Sequence, residues 1–211
     1  MDNISNALGL TTNKISELVK ESNRYIASEE DVTKDINKTV TALKSYADVE
    51  TPSLGDAISS LANTFEIIES GRKEKVAKLR EQYIAPMNEL LTHLKTLQTE
   101  QEESAKAAKD VEKTEKSLNK AKSKPKEKLK PGEIENAETA LKTAQKKAEK
   151  EENDVRTATE DFNKVKLETM QKILHDMVEI EKSYHENILS SISELKQKAE
   201  AINIEEESKV T

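Results

Sequence analysis

The stretch Leu54–Leu97, LGDAISSLANTFEIIESGRKEKVAKLREQYIAPMNELLTHLKTL, decides the fold class. Leu54, Ile58, Leu61, Phe65, Ile68, Val76, Leu79, Tyr83, Met87, Leu90, Leu94 and Leu97 recur mostly in steps of three and four. That spacing lays one apolar stripe along a single long helix. A mean step of about 3.5 predicts left-handed supercoiling against partner helices. Pro86 falls inside the stripe, which continues on both sides, so it reads as a kink rather than a stop.

Outward from the stripe, proline and glycine mark two turns. In Glu50-Thr51-Pro52-Ser53-Leu54-Gly55-Asp56, Pro52 disfavours helix at Thr51, and Ser53 with Asp56 resembles a capping box. Pro125 to Gly132 form a loop that also holds Pro131, and Glu133 and Glu135 suit the positive end of a following helix. Helices are therefore predicted over about 8–49, 53–124 and 133–205. The first carries Ile15, Leu18, Ser22, Ile26, Val32, Ile36, Val40, Leu43 and Ala47. The third carries Leu141, Ala144, Val155, Ala158, Phe162, Val165, Ile173, Met177, Ile180, Tyr184, Ile188, Leu195 and Ile202.

At about 1.5 Å per residue, the second and third helices are each roughly 100 Å long and the first roughly 60 Å. A short loop folds the long pair into an antiparallel hairpin, with residue i opposite roughly residue 262 − i. Large apolar residues crowd helix 2 up to Leu97 and helix 3 after Val155, and between them the seam is mostly alanine. Extra apolar positions, Ile67, Ile84, Leu91, Leu174, Val178 and Leu189, widen the stripe and suggest a second subunit packed across a two-fold axis. The expected class is all-α, three long antiparallel helices in one elongated coiled-coil domain over residues 1–211.

Composition agrees. Hydrophobic residues make up 34% and charged residues 36%, too polar for a compact globule, and four Gly with four Pro leave few places to turn. No cysteine is present, which excludes disulfides and thiolate metal sites. No apolar run is long enough to span a bilayer. The N-terminus lacks a signal pattern, Gly does not follow Met1, and the end ESKVT offers no prenylation site, so a cytoplasmic protein is expected.

No catalytic residue, cofactor or metal is expected. Bundle di-iron sites need Glu-x-x-His, yet Lys172 and Lys182 stand three residues before His175 and His185. No Gly-rich phosphate loop occurs.

The net charge of −7 is unevenly spread: Lys113–Lys150 hold twelve Lys against six Glu, a balance of +6, leaving −13 for the rest. The sharpest cluster is the loop, Lys120, Lys122, Lys124, Lys126, Lys128 and Lys130, opposed only by Glu127. It fits either anionic lipid headgroups, at about 1 kcal/mol per Lys, or a merely solvated loop. Arg72, Lys73, Lys75, Lys78 and Arg80 form a second cluster, with Arg72 and Lys75 within reach of Glu69 or Glu74. Lys95 would fall near Lys164, Lys166 and Lys172 in the hairpin. These fit either one concave basic face or ordinary coiled-coil ion pairs. No aromatic residues interleave the lysines, so nucleic acid is not expected.

Several segments point to a family. They are Tyr46-Ala47-Asp48-Val49-Glu50-Thr51-Pro52, Phe65 with Arg72-Lys73-Glu74-Lys75-Val76-Ala77-Lys78-Leu79, and Ile84-Ala85-Pro86-Met87. Asn136-Ala137-Glu138-Thr139-Ala140-Leu141, Phe162-Asn163-Lys164-Val165-Lys166 and Val178-Glu179-Ile180-Glu181-Lys182-Ser183-Tyr184-His185 continue the series. In order and spacing, over roughly residues 10–205, the chain resembles the Chibby-interacting BAR-domain family, the FAM-ninety-two proteins. The resemblance implies a crescent homodimer without enzymatic activity that senses or generates curvature on anionic phospholipid membrane. The loop lysines would form membrane-binding tips, and Lys73, Lys78, Arg80, Lys95, Lys164, Lys166 and Lys172 a membrane-binding concave face. For animal members it implies work at the ciliary base with the coiled-coil partner Chibby; an endomembrane is the other expected site of peripheral attachment. The rival expectation is a coiled-coil scaffold that binds only a protein partner.

Overall fold

A computed structural model describes residues 2–209. Met1, Val210 and Thr211, the ends of the expected 1–211 domain, lie outside the described residues. The chain forms α1 (Asp2–Ala47), α2 (Pro52–Leu79), a π-helical turn (Arg80–Ile84), α3 (Ala85–Lys122), a 3-10 turn (Lys126–Lys128), α4 (Glu133–Glu200) and short α5 (Ile204–Glu207). No strand occurs among the described residues. α1 begins earlier than its apolar stripe suggests, and the third long helix stops at Glu200 before the separate turn of α5.

Packing divides the chain into two compact units, one of Met1–Ile15 with Glu89–Glu168, the other of Ser16–Asn88 with Thr169–Thr211. In the second unit, Ile26 of α1, Val76 and Leu79 of α2, Ile84 of the π-helical turn and Ile180 of α4 form a core cluster, with Tyr83 and Met177 against it. Here α1 and α2 are antiparallel: Ser22 meets Tyr83, Asn37 meets Glu69, and Lys44 meets Glu66. The inward face of α1 runs Ile26, Glu29, Thr33, Ile36, Val40, all buried. Val32 and Leu18, expected inside, are 42% and 39% exposed. Strict three-four stepping from Ile26 selects Glu29 and Thr33 and turns Val32 outward.

The structure places a π-helical turn, Arg80–Ile84, just before Pro86. A proline lacks the N–H that would donate four residues back, and its ring presses on that carbonyl. One widened turn accommodates this, and the Ala85 N–H donates to Arg80 O, five residues back.

At the α1–α2 turn, the expected Ser53–Asp56 capping box does not form. Thr51 is the N-cap with Pro52 at the first helical position, and the open N–H groups of Ser53 and Leu54 donate to Glu207 of α5 at 2.5 and 3.2 Å. Thr51 Oγ1 donates to the same carboxylate at 2.6 Å, and Ser53 Oγ accepts from Asn203 N at 3.2 Å. Ser53 is thus occupied by Asn203, just before α5, and a carboxylate from much later in the chain satisfies the helix terminus.

In the first unit, Leu90, Leu94 and Leu97 are fully or nearly fully buried, and Gln98 of α3 donates to Thr12 of α1. Farther along, Ala107, Leu118 and Ala121 fill the seam of α3 with α4. Gly132 turns the chain into α4 at φ +75°, a conformation costly for residues with a Cβ. The hairpin register differs from the expected 262 − i. Lys122 pairs with Glu138 in the first unit and Lys75 with Glu181 in the second, which sets residue i opposite about 256 − i to 260 − i.

Candidate functional site

The last turn of α3, with Lys120 and Lys122, and the loop after it, with Lys124, Lys126, Lys128 and Lys130, carry the six predicted tip lysines in the first unit. Two are tied back. Lys124 Nζ lies 2.5 Å from Glu133, whose second oxygen accepts from the Lys130 N–H at 3.1 Å. Lys124, then the Lys130 amide, holds the Glu133 carboxyl below its ordinary value. Lys122 pairs with Glu138 of α4 at 2.8 Å, with both side chains about half exposed. Lys120, Lys126, Lys128 and Lys130 are exposed, with no side-chain ion pair among the described residues. The end of α3 and its loop therefore offer four free ammonium groups, and Glu133 and Glu138 of α4 hold Lys124 and Lys122 in place.

The other predicted basic set is mostly paired. Lys73 lies 2.8 Å from Glu69, Lys78 2.6 Å from Glu74, and Arg80 2.7 Å from Glu30 of α1, all in the second unit. Lys172 lies 2.9 Å from Asp176 there. In the first unit Lys164 is 4.0 Å from Glu168, while Lys166 bonds Asn163 and stands over the Phe162 ring. Lys95 is exposed. Lys73, Lys78 and Arg80 do not share one face. Arg80 reaches α1, whereas Lys78 lines a crevice with Ser183 and Asn187 of α4. Five residues of helix rotate a side chain to nearly the opposite side, so Lys78 parts from Lys73.

Arg72 and Lys75, expected to pair along their own helix, turn inward instead. Lys75 is 5% exposed and lies 2.8 Å from Glu181 of α4 and 3.3 Å from Glu29 of α1, and Arg72 pairs with Glu29 as well. The Lys75 ammonium stands 5.3 Å from the Tyr25 ring centre and 5.1 Å from that of Tyr184. Burial pushes Lys75 down, but hydrogen bonds to Glu181 and Tyr25 and the charge of Glu29 outweigh it and hold the ammonium well above its ordinary value. Burial likewise pushes Glu29 up, and Tyr25, Lys75 and Arg72 together bring it below the usual carboxylate range. Gly71 makes room here: a Cβ would come 3.2 Å from the Tyr184 ring. This is a structural lock between three helices, with charge balanced inside it.

Two of the three histidines sit near single carboxylates, His175 at 3.7 Å from Asp176 and His185 at 3.7 Å from Glu181. Among the described residues no group of three His, Asp or Glu is placed to hold a metal ion, and no helix is long and apolar enough to cross a membrane.

Apolar side chains left outside form two rows in the second unit. Leu18, Tyr25 and Val32 recur every seventh residue on α1, and Leu174, Val178, Leu189 and Ile192 stand on α4 at 47–63% exposure. Ile84, expected in that widened stripe, is 8% exposed and belongs to the core cluster.

The profile of the family described as FAM92 protein matches residues 2–209. The chain belongs to the FAM92 family. No curated protein sequence matches this FAM92 chain. Solved structures match its fold: the BAR domain of Drosophila amphiphysin at 18% identity, TM-score 0.72, covering 94% of this chain and 90% of that one. The Hof1p F-BAR domain matches at 6% identity and TM-score 0.57, covering 98% and 89%. The N-terminal I-BAR domain of D. discoideum IBARa matches at 17% identity and TM-score 0.54, covering 97% and 92%. At these identities the likeness establishes a BAR-type helical fold for the FAM92 chain.

Proposed function

We propose that this FAM92 chain is a non-enzymatic, homodimeric, peripheral membrane protein that senses or generates curvature on anionic phospholipid surfaces. The observation that carries the reading is the free ammonium cluster of Lys120 at the end of α3 and Lys126, Lys128 and Lys130 of the following loop, a segment anchored by two ion pairs. Such a group attracts anionic headgroups at about 1 kcal/mol per Lys in contact, within a screening distance of about 8 Å. Lys122 joins by exchanging the half-exposed Glu138 for a phosphate, a modest cost since such surface pairs are worth about 0–1 kcal/mol, whereas Lys124 is held by the partly buried Glu133. Lys73, Arg80, Lys95, Lys164, Lys166 and Lys172 add contacts on a surface of suitable curvature. The exposed apolar rows on α1 and α4 support the dimer, since burying a Leu or Val side chain stabilises by about 1.5–3 kcal/mol. The ciliary base and an endomembrane are the sites of attachment in view.

Co-sedimentation with vesicles of phosphatidylserine in phosphatidylcholine tests this, with pure phosphatidylcholine as the neutral control. The account expects binding to the anionic vesicles alone, weakened by salt. Joint replacement of Lys120, Lys126, Lys128 and Lys130 by Glu should abolish it with helical content unchanged. A dimer that ignores both vesicle types would leave the coiled-coil scaffold reading.

A further inference from the structure

Of the four prolines in the chain, Pro52 alone follows a hydroxyl side chain, that of Thr51. Thr51 stands just before α2 in extended backbone, at φ −63° and ψ 155°, and is half-buried. Its Oγ1 donates to Glu207 at 2.6 Å, and the same carboxylate accepts from the Ser53 and Leu54 amides at 2.5 and 3.2 Å. Beside it, the Asn203 amide donates to Ser53 Oγ. All of these groups lie in the second unit. Together the bonds clasp residues 201–209, a turn followed by α5, onto the α1–α2 turn. Burial does little to hold this segment, since Ala201, Asn203 and Glu205 are exposed and Ile204 is 75% exposed. α5 is a single turn, closed by Glu207 N to Asn203 O and Ser208 N to Ile204 O. So short a helix has little stability apart from its contacts. The clasp is therefore polar and centres on one carboxylate.

We propose that Thr51 is a phosphorylation site and that its phosphate releases the α5 segment. A proline-directed protein kinase takes a hydroxyl residue in extended backbone followed by a proline, which has a fixed φ and no N–H. In the transfer, the terminal P–O bond of a nucleoside triphosphate breaks with the diphosphate leaving. A new P–O bond forms at Thr51 Oγ1, and the hydroxyl proton passes to the kinase's base. The product has no proton to give Glu207 and carries about −1.5 to −2 charges at pH 7. Two anions cannot share the Ser53 and Leu54 amides. The phosphate is tethered beside them and carries more charge at the positive end of α2, so it takes them and Glu207 leaves. α2 stays capped while residues 201–209 lose their clasp. The same competition protects the site: with Glu207 seated the Thr51 hydroxyl is engaged, so the kinase acts on the unclasped state. This switch stands apart from lipid contact at the α3–α4 loop.

The chain has no cysteine, so Glu205→Cys gives one site for a nitroxide label at an exposed position of α5. The labelled full chain is incubated with a proline-directed protein kinase and magnesium ATP, with ATP omitted as the control. Mass spectrometry should find phosphate on Thr51. The label should pass from motion tied to the whole molecule to the nanosecond motion of a loose segment, with helical content by circular dichroism unchanged. Glu207→Gln, whose clasp is weaker, should be phosphorylated about tenfold faster, equivalent to about 1.4 kcal/mol. Its label should be mobile beforehand and gain little from the phosphate. Ser53→Ala, which loosens the clasp from the α2 side, should act in the same direction. Thr51→Val should take up no phosphate at this turn. Absence of phosphate on Thr51 in both the unmodified chain and the loosened variants overturns the site. A Thr51 phosphate that leaves the label immobile overturns the switch, as do equal phosphorylation rates in the unmodified chain and both loosened variants.

Discussion

The Lys75 ammonium of α2 lies 2.8 Å from Glu181 of α4 and 3.3 Å from Glu29 of α1, so one buried charge ties three helices together. Glu29 also accepts from Arg72, and the rings of Tyr25 and Tyr184 enclose the ammonium. A buried ion pair contributes little net energy against an apolar replacement of both partners, but loss of one partner strands the other. Its value here is register, since a one-turn slip of α4 would part Glu181 from Lys75.

Lys75→Met should therefore destabilise the chain by roughly 3 kcal/mol, measured by urea unfolding, because Glu29 and Glu181 lose their shared cation. Glu29→Gln in the same protein should restore part of that loss. Additive destabilisation by the two changes would show that they are not coupled.

A pH effect should arise at the α1–α2 turn. Hydrogen bonds from Ser53, then Thr51, and the amides of Ser53 and Leu54 hold the Glu207 carboxyl below its ordinary value. A folded-state pKa below the unfolded one gives stability present above the ordinary carboxylate value and lost as pH falls through the folded one. Thermal melts of the unmodified chain and Glu207→Gln should thus differ near pH 7 and converge toward about pH 3. A constant gap across that range would mean that Glu207 does not titrate with folding.

Dimerisation should depend on the exposed row of α4. Leu174→Glu with Val178→Glu alters two side chains 62% and 63% exposed, so the protomer should keep its helical content. Light scattering should fall from twice the 23.7 kDa chain mass to once. An unmodified chain that is already monomeric removes the dimer from the account.

Much of the fold was legible because helical periodicity is local. Three-four stepping located the long helices, and Pro52, Pro125 and Pro131 located the turns. Long-range pairings were not. Glu207 reaches Thr51 across 156 positions and Lys75 reaches Glu181 across 106, and nothing near either residue announces its partner. One signal was available: Glu29 and Thr33 sit in strict step with Ile26, Ile36 and Val40, which favours them over Val32 for the inner face. In the candidate site, the loop lysines could be counted from sequence. Their division into tied and free depends on Glu133 and Glu138, whose places follow from the exact reversal of the chain.

Salt should separate the loop from the other cations. Binding to phosphatidylserine vesicles should weaken steeply as ionic strength rises, since screening shortens from about 10 Å at 0.1 M to about 3 Å at 1 M. Replacing Lys73, Arg80 and Lys172 by Gln should have a smaller effect than the loop variant, because each already holds a carboxylate within 3 Å. A larger effect would place the main lipid contact there.

The most direct test of curvature recognition is affinity for vesicles of one phosphatidylserine content at two diameters, about 50 nm and about 400 nm, compared at equal accessible lipid. Tighter binding to the small vesicles is the predicted result, because on a matching surface cations beyond the loop come within screening distance and add contacts. Equal affinity for both diameters would contradict it, leaving a basic helical protein that binds anionic membrane without regard to shape.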